Sequence, residues 1–309
     1  MELKKNSFKF IDLFAGCGGM SLGLEEAGFS PVYVNELNHD ALETYLINRE
    51  HDFPYLRDKK FHSNDILNCF DKDNYFESLK KNLRKIHGSS KIDLICGGPP
   101  CQGYSRMGIR RNYAVEKKFI PSNHLYKYMA KFIEIMNPSI FLFENVEGLL
   151  KSRWTNSGVR GEIWKDVYKT FEGIAKYDVK FSLLKSKDYG IPQNRPRVIL
   201  VGIKKNLTKK SNLNIDAVEA GFLPEGNENY PHIEELLSDL DDPNYPLGGS
   251  TNVYSGDPEN IWQTELRTKK DGSLLMKGDE LTDQEYSNHS PKTEERLKAI
   301  MKNKGVVPK

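Results

Sequence analysis

The chain has 309 residues, with 45 lysines and arginines against 43 aspartates and glutamates, for a net charge of +2 at neutral pH. That length allows one large α/β domain with a smaller appendage, and the near-neutral balance excludes a uniformly basic nucleic-acid binder, so affinity for a polyanion has to come from a local basic face. The four cysteines (Cys17, Cys69, Cys96 and Cys101) form no Cys-x-x-Cys pair, which suggests neither a zinc site nor a disulfide framework; with no leader-like or membrane-spanning apolar run in view, the expectation is a reduced, cytoplasmic protein without metal or membrane.

In chain order, the apolar strand Phe10–Leu13 feeds the glycine-rich turn Phe14-Ala15-Gly16-Cys17-Gly18-Gly19, and a helix follows to about Gly28. A second strand, Pro31 to Asn35, finishes on Glu36. A carboxylate at the end of a second strand can accept both hydroxyls of a ribose, while the turn lets the rest of a nucleoside lie against backbone. A dinucleotide frame begun at Gly16 would want glycine at position 21, which is Ser21. The plainer alternative is an ordinary βα connection.

The run Ile92-Asp93-Leu94-Ile95 then opens into Gly97-Gly98-Pro99-Pro100-Cys101-Gln102-Gly103-Tyr104-Ser105. Two prolines restrict the backbone entering the cysteine, and the glycines allow close approach to a ligand. A buried structural cysteine needs neither feature, whereas a nucleophile needs both; the other reading is a Pro-Gly turn that contains a cysteine. The following Arg106-Met107-Gly108-Ile109-Arg110-Arg111 is basic and irregular. Leu125, Met129, Phe132, Ile133 and Met136 recur at helical spacing before the Asn137-Pro138 stop, and Ile163, Val167, Phe171 and Ile174 do the same. Between them the apolar strand Ile140–Phe143 runs into Glu144-Asn145-Val146, which puts an acid at the carboxyl edge of a sheet, where α/β proteins place their chemistry. Alone, it also reads as a solvated strand-end glutamate.

Gln193, Arg195 and Arg197 alternate ahead of the strand Val198–Ile203, so in an extended segment they share one face. From Lys204 the chain turns polar, with short apolar runs such as Ile233 to Leu240 and a helical pattern from Ser290 to Ile300. The expected fold is an α/β, Rossmann-like mixed sheet with helices on both faces, closed by an antiparallel pair around the Gln193–Arg197 loop. Residues 1–205 are expected to form the catalytic and cofactor-binding domain, and 206–309 a polar extension leading into an incomplete target-recognition region.

Four of these elements together resemble the DNA (cytosine-5)-methyltransferase family: Asp12-Leu13-Phe14-Ala15-Gly16-Cys17-Gly18-Gly19, Gly98-Pro99-Pro100-Cys101-Gln102, Glu144-Asn145-Val146 and the Gln-x-Arg-x-Arg run from Gln193 to Arg197. The resemblance covers residues 7 to 205 and implies an S-adenosylmethionine-dependent methyltransferase fold. It implies a cofactor pocket made by Asp12, Phe14, Ala15, Gly16, Gly18, Gly19, Glu36, Asp65, Ile66 and Pro100, with Glu36 on the ribose and Asp65 on the adenine. Two positions depart from the family pattern: Leu37 replaces the aromatic that follows the ribose-binding glutamate, and Asn64 replaces the glycine before Asp65.

The same resemblance implies that Cys101 attacks C6 of a flipped-out cytosine in duplex DNA, with Glu144 at N3 and the exocyclic amine, Arg197 at O2, and Arg195 bracing the site. Gln102, Ser105, Arg106, Arg110, Arg111 and Gln193 would lie against the DNA. The family's ninth and tenth motifs find no counterpart, which leads to the expectation of a catalytic chain completed by a second methyltransferase subunit. Two other readings stay open: an RNA cytosine-5 methyltransferase, whose Cys-Phe-Thr signature is missing here, and a non-catalytic DNA-binding or regulatory subunit.

Overall fold

The computed structural model describes residues 8–100, 117–211, 221–226, 229–242, 248–269 and 271–303. It divides into two compact units, the first made of Met1–Ser186 with Asn194–Asn227, the second of Lys187–Gln193 with Glu228–Lys309. The segment Lys187–Gln193, which includes the first residue of the Gln193–Arg197 run, belongs to the second unit.

The first unit is an α/β sandwich. Its elements are β1 (Phe8–Leu13), α1 (Gly19–Glu26), β2 (Phe29–Asn35), α2 (His39–Ile47), β3 (His62–Ser63), α3 (Asn68–Asp71), α4 (Tyr75–His87), β4 (Leu94–Gly97), α5 (Leu125–Met136), β5 (Ile140–Val146), α6 (Glu162–Glu172), β6 (Tyr177–Lys185), β7 (Pro196–Lys204) and α7 (Lys205–Lys210). The seven strands form one sheet in the order β3-β2-β1-β4-β5-β7-β6. Strands β1 to β5 are parallel, and β7 runs antiparallel to both β5 and β6.

The central strands are apolar because both of their faces are covered. Ile11, Leu13, Ile95, Phe141, Phe143 and Leu200 face the main core, into which α5 and α6 insert Met129, Phe132, Ile133, Ile163, Val167 and Phe171. Phe10, Leu94 and Cys96 face the other way, against Met20 and Leu24 of α1. Helix α7 is pinned by Thr208 Oγ1, which donates to Asp178 at 2.6 Å. Helix α5 stops where the sequence says it should: Asn137 takes the left-handed conformation (φ 51°) and its N–H reaches Ile133 O at 2.8 Å, with Pro138 next. Strand β5 runs on to Val146, so Glu144 lies within the strand and not beyond its end.

The second unit contains α8 (Ile233–Leu237), α9 (Ile261–Arg267) and α10 (Pro291–Lys302), with isolated bridges at Ser250–Glu285, Val253–Glu280 and Thr268–Leu274 among its described residues. Its buried centre is polar. Arg267, 2% exposed, donates to Asp239 through Nε at 2.8 Å and Nη2 at 2.7 Å, and to Gly256 O through Nη1 at 2.8 Å. Its guanidinium stacks on the Tyr254 ring at 3.8 Å. Gln263 bonds Glu235 O, Ser238 Oγ and Glu259 N–H with all three of its amide partners satisfied. Helix α10 is capped by Ser290 and starts with Pro291, as the sequence pattern predicts.

Removing one partner of a buried ion pair leaves the other uncompensated. Arg267→Ala should therefore cost about 3–5 kcal/mol locally, seen as lost amide hydrogen-exchange protection at residues 254–275 of the full chain while β1, β4 and β5 keep theirs. Unchanged protection at 254–275 would show that this pair does not hold the unit together.

Candidate active site

Three parallel strands, β1, β2 and β4, end in one row, level with Phe143 of β5. Leu13 pairs with Asn35 on one side and Gly97 on the other, and Gly97 pairs with Phe143. Phe14, Glu36 and Gly98 come next, and Glu144 stands level with them inside β5, so the chemistry-bearing segments of all four strands meet along one carboxyl edge. At about 4.8 Å per strand spacing, Glu36 and Glu144 stand roughly 14 Å apart. That separation suits a nucleoside at one end of the edge and a second planar group at the other.

The alignment depends on a tight contact. A Cβ on Gly97 would lie 2.7 Å from Leu13 O, so β4 could not hold this register with any larger residue. Beside it, a Cβ on Gly98 would lie 2.8 Å from Glu144 Oε2. The glycine before the two prolines is therefore what lets the carboxylate lie across the loop backbone. Asn145 Nδ2 donates to Pro99 O at 3.0 Å, and Asn145 Oδ1 accepts from Val146 N–H at 2.9 Å. Pro99 and Pro100 pack over Asn123, Tyr126 and Phe143 around a cavity of about 10 Å³, no larger than one water. The backbone that delivers Cys101 is thus fixed up to Pro100. Cys101, Gln102, Ser105, Arg106, Arg110 and Arg111 lie outside the described residues.

Across the sheet, Glu144 pairs with Ile199 and Val146 with Arg197, which makes Glu144 and Arg197 diagonal neighbours on one face. Arg197 Nε meets Glu144 Oε1 at 2.6 Å, and Arg197 Nη1 donates to Pro196 O at 2.8 Å. Burial raises the Glu144 pKa above the ordinary carboxylate value, and the charges of Arg197 and Arg195 oppose that rise. The extended face expected for Gln193, Arg195 and Arg197 is corrected here. Residues 191–195 are not strand; Gln193 N–H folds back onto Ile191 O at 2.6 Å, and Ser186 N–H closes on Arg195 O at 3.2 Å. The prolines at 192 and 196 interrupt the alternation, and Gln193 belongs to the second unit.

At the other end, Glu36 is oriented by two amides: Gly16 N–H reaches Oε2 at 2.7 Å and Asn38 N–H reaches Oε1 at 2.8 Å. Each carboxylate oxygen keeps a further lone pair, enough for a vicinal diol. Phe14 and Gly16 both take positive φ (59° and 56°), and positions for a Cβ at Gly16 and Gly19 are open, with no atom within 4 Å. Leu37 is 68% exposed, an apolar side chain offered to the surface. These residues fit a nucleoside cofactor: a diol acceptor, bare backbone and an apolar platform. Asp65 accepts from Leu67 N–H at 2.9 Å and keeps its second oxygen outside that bond, whereas the Ile66 side chain, 2% exposed, belongs to the core.

Asp12 does not face the edge. It is 1% exposed and accepts from Ser21 Oγ at 2.6 Å, and Ser21 Oγ also meets Tyr45 Oη at 2.8 Å. Sequence reasoning missed Asn145 as the clamp on Pro99 and the buried Arg49 behind Gly18; Asn145 stood in a quoted motif, while Arg49 carried no local signal. Among the described residues no three or more His, Cys, Asp or Glu are grouped to hold a metal ion, and no helix is long and apolar enough to cross a membrane.

A mixed sheet with helices on both faces and a glycine turn, a proline-clamped loop and a Glu–Arg pair at one edge defines a Rossmann-like methyltransferase architecture. Residues 8–306 match the C-5 cytosine-specific DNA methylase family, and the chain belongs to it. It is 35% identical over 200 residues to the type II methyltransferase M1.HphI of Haemophilus parahaemolyticus, covering 64% of this chain and 46% of that one. To M.FnuDI of Fusobacterium nucleatum it is 30% identical over 270 residues, 87% of this chain and 65% of that one. Among solved structures it resembles one described as a DNA modification methyltransferase encoded within a prophage (E. coli), with TM-score 0.52 and 25% identity over 82% of this chain and 61% of that one. The chain thus spans about half to two thirds of the length of these relatives.

Burial raises the Asp12 pKa to about 6, with the Ser21 hydrogen bond opposing. The folded state therefore holds this proton more tightly than the unfolded state. The stabilisation is full below about pH 4 and is lost as pH rises through 6, a difference of about 3 kcal/mol at 1.36 kcal/mol per pK unit. Asp12→Asn should remove this slope, so the wild-type minus variant difference in denaturant stability should fall between pH 4 and 7; a constant difference would refute the assignment.

Proposed function

We propose that this chain carries the catalytic machinery for methyl transfer to C5 of cytosine in duplex DNA. The observation that carries the reading is the single sheet edge that gathers Glu36 and the Phe14–Gly19 turn at one end and Gly98-Pro99-Pro100 with the Glu144–Arg197 pair at the other. S-adenosylmethionine, when bound, supplies an electrophilic methyl group on sulfonium. The turn and Glu36 hold its nucleoside, Asp65 its adenine and Leu37 the apolar face that an aromatic covers elsewhere in the family.

C5 of cytosine is a poor nucleophile until a group adds at C6. The Cys101 thiolate forms the S–C6 bond and pushes the ring electrons towards C5 and N3. A free thiol of pKa ~8.5 is a minor thiolate at neutral pH, so the site must favour the anion. Glu144 hydrogen-bonds N3 and the exocyclic amine; burial favours its protonated form, which lets it donate to N3 as charge builds there. The charges of Arg197 and Arg195 offset that burial; Arg197 donates to O2, and Arg195 braces the site. C5 then takes the methyl group as the sulfonium–methyl bond breaks and leaves S-adenosylhomocysteine, a base removes the C5 proton, and the S–C6 bond breaks to release Cys101 and restore the aromatic ring. Because C5 and C6 are stacked inside the duplex, the base must be flipped out, at a cost of a few kcal/mol, and Gln102, Ser105, Arg106, Arg110, Arg111 and Gln193 are assigned to the DNA around it.

The mechanism asks for Cys101, Glu144 and both arginines at once, a requirement that a purely regulatory subunit does not have. Completion of target recognition by a second methyltransferase subunit is part of the proposal at a finer level; adding the candidate subunit to the purified chain should raise the rate, and no gain would count against it. A cytoplasmic, DNA-associated setting follows from the substrate.

Transfer of tritiated methyl groups from S-adenosylmethionine to duplex DNA should be abolished by Cys101→Ser. Glu144→Gln should lower it about 10²–10⁴-fold, the range for a lost general acid–base group. DNA containing 5-fluorocytosine should trap the Cys101 adduct, because fluorine at C5 cannot be abstracted. Transfer that survives Cys101→Ser would sink the covalent mechanism, and equal transfer to transfer RNA would favour the RNA reading.

A further inference from the structure

We infer that Arg49 is a positioning residue for the cofactor turn, holding the Gly18–Gly19 peptide in the orientation that leaves its N–H free for the ligand; this rests on the cofactor reading of the Phe14–Gly19 turn proposed above. Arg49 follows α2 and is 5% exposed. Its Nη2 donates to Gly18 O at 3.0 Å, its Nη1 to Tyr45 O at 3.3 Å, and its Nε to Glu25 Oε1 at 2.6 Å in the last turn of α1. The guanidinium lies 3.9 Å from the centroid of the Tyr45 ring. One flat cation therefore joins the turn, the helix that follows it and the helix beyond.

The consequence for the turn is geometric. Gly18 caps α1 at φ 90°, ψ 31°, and its carbonyl also accepts from Leu22 N–H at 2.9 Å. Two donors on one side fix the direction of that carbonyl. In a planar trans peptide the C=O and the next N–H point in opposite directions, so Gly19 N–H is turned away from Arg49. A Cβ at Gly16 or Gly19 would meet no atom within 4 Å, so the turn around that N–H carries bare backbone. Gly18 has no room of its own: a Cβ there would lie 2.6 Å from both Arg49 Nη1 and a Tyr45 ring carbon. The same wall is completed from below by the Tyr45–Ser21–Asp12 hydrogen bonds.

A lysine cannot replace this residue. It keeps the charge opposite Glu25 but lacks the planar fork that reaches Gly18, Tyr45 and Glu25 together. The two roles of Arg49, balancing a half-buried carboxylate and aiming a peptide, are therefore separable by substitution.

The test measures binding of S-adenosylhomocysteine to the full chain by titration calorimetry, alongside the thermal midpoint. Three variants are compared with the unaltered chain: Arg49→Lys, Arg49→Met, and Arg49→Met with Glu25→Gln, which removes the stranded carboxylate so that the protein still folds. Arg49→Lys and the double variant should keep a midpoint within a few degrees of the original yet bind at least tenfold more weakly. Affinity that returns with the midpoint in Arg49→Lys overturns the inference and leaves Arg49 a structural residue. Unchanged affinity in the double variant overturns it as well. Absence of binding by the unaltered chain fails the cofactor reading itself, and this inference with it.

Discussion

The antiparallel course of β7 is the constraint on which the site depends. In a sheet whose other central strands are parallel, carboxyl ends gather at one edge and amino ends at the other. A strand that reverses direction brings its beginning, with Arg197 and the preceding Arg195, to the edge near which β5 carries Glu144. The β5–β7 register then makes the 2.6 Å contact between Arg197 and Glu144 a diagonal neighbour pair. A parallel β7 would carry these arginines to the far edge. A one-residue slip would send Arg197 to the other face of the sheet, against Phe141 and Phe143.

That pair explains how a buried acid is kept usable. Desolvation pushes the Glu144 pKa up, while the charges of the two arginines pull it back. Opposed effects of this kind leave a group able to share a proton as its surroundings change. Asp12 shows the contrast. It is fully enclosed, a hydroxyl holds it, and burial dominates its titration. One carboxylate lies at the sheet edge beside two arginines; the other is locked behind the turn, where it holds Ser21 in place.

The fold was legible because its central strands are buried on both faces. Ile11 to Leu13, Leu94 to Cys96 and Phe141 to Phe143 read as unbroken apolar runs, and the helix at 125–136 announced both its face and its stop. The strand–turn–helix–strand order around the glycine turn was legible from its apolar runs and glycines, and the structure has β1, the turn, α1 and β2 in that order. Other features were hidden for physical reasons. Strand β6 alternates with exposed Phe181 and Leu183, so its pattern is that of an edge strand with a half-covered face. The turn at 191–195 looked extended because alternation in sequence says nothing about a proline-driven reversal. Arg49 was invisible because its partners, Gly18 and Glu25, lie 31 and 24 residues away, and nothing in its neighbourhood distinguishes a buried arginine from a solvated one.

The second unit obeys a different logic, and its weak sequence signal follows from that. Helices α8 and α9 are too short to show a helical period, and the interior they share is organised by Arg267, Asp239, Gln263 and Asn260 instead of aliphatic packing. Such a network fixes geometry well because every donor has one acceptor within reach, but it buries little apolar area and adds modest stability for each bond. A segment built this way tolerates changes in its exposed loops as long as the buried guanidinium and amide stay satisfied. Ile233 and Leu237 stay at the surface because nothing in so polar a centre needs them. The edge that carries Glu36 and Glu144 relies on close packing to hold atoms in place; this unit secures its shape through hydrogen bonds.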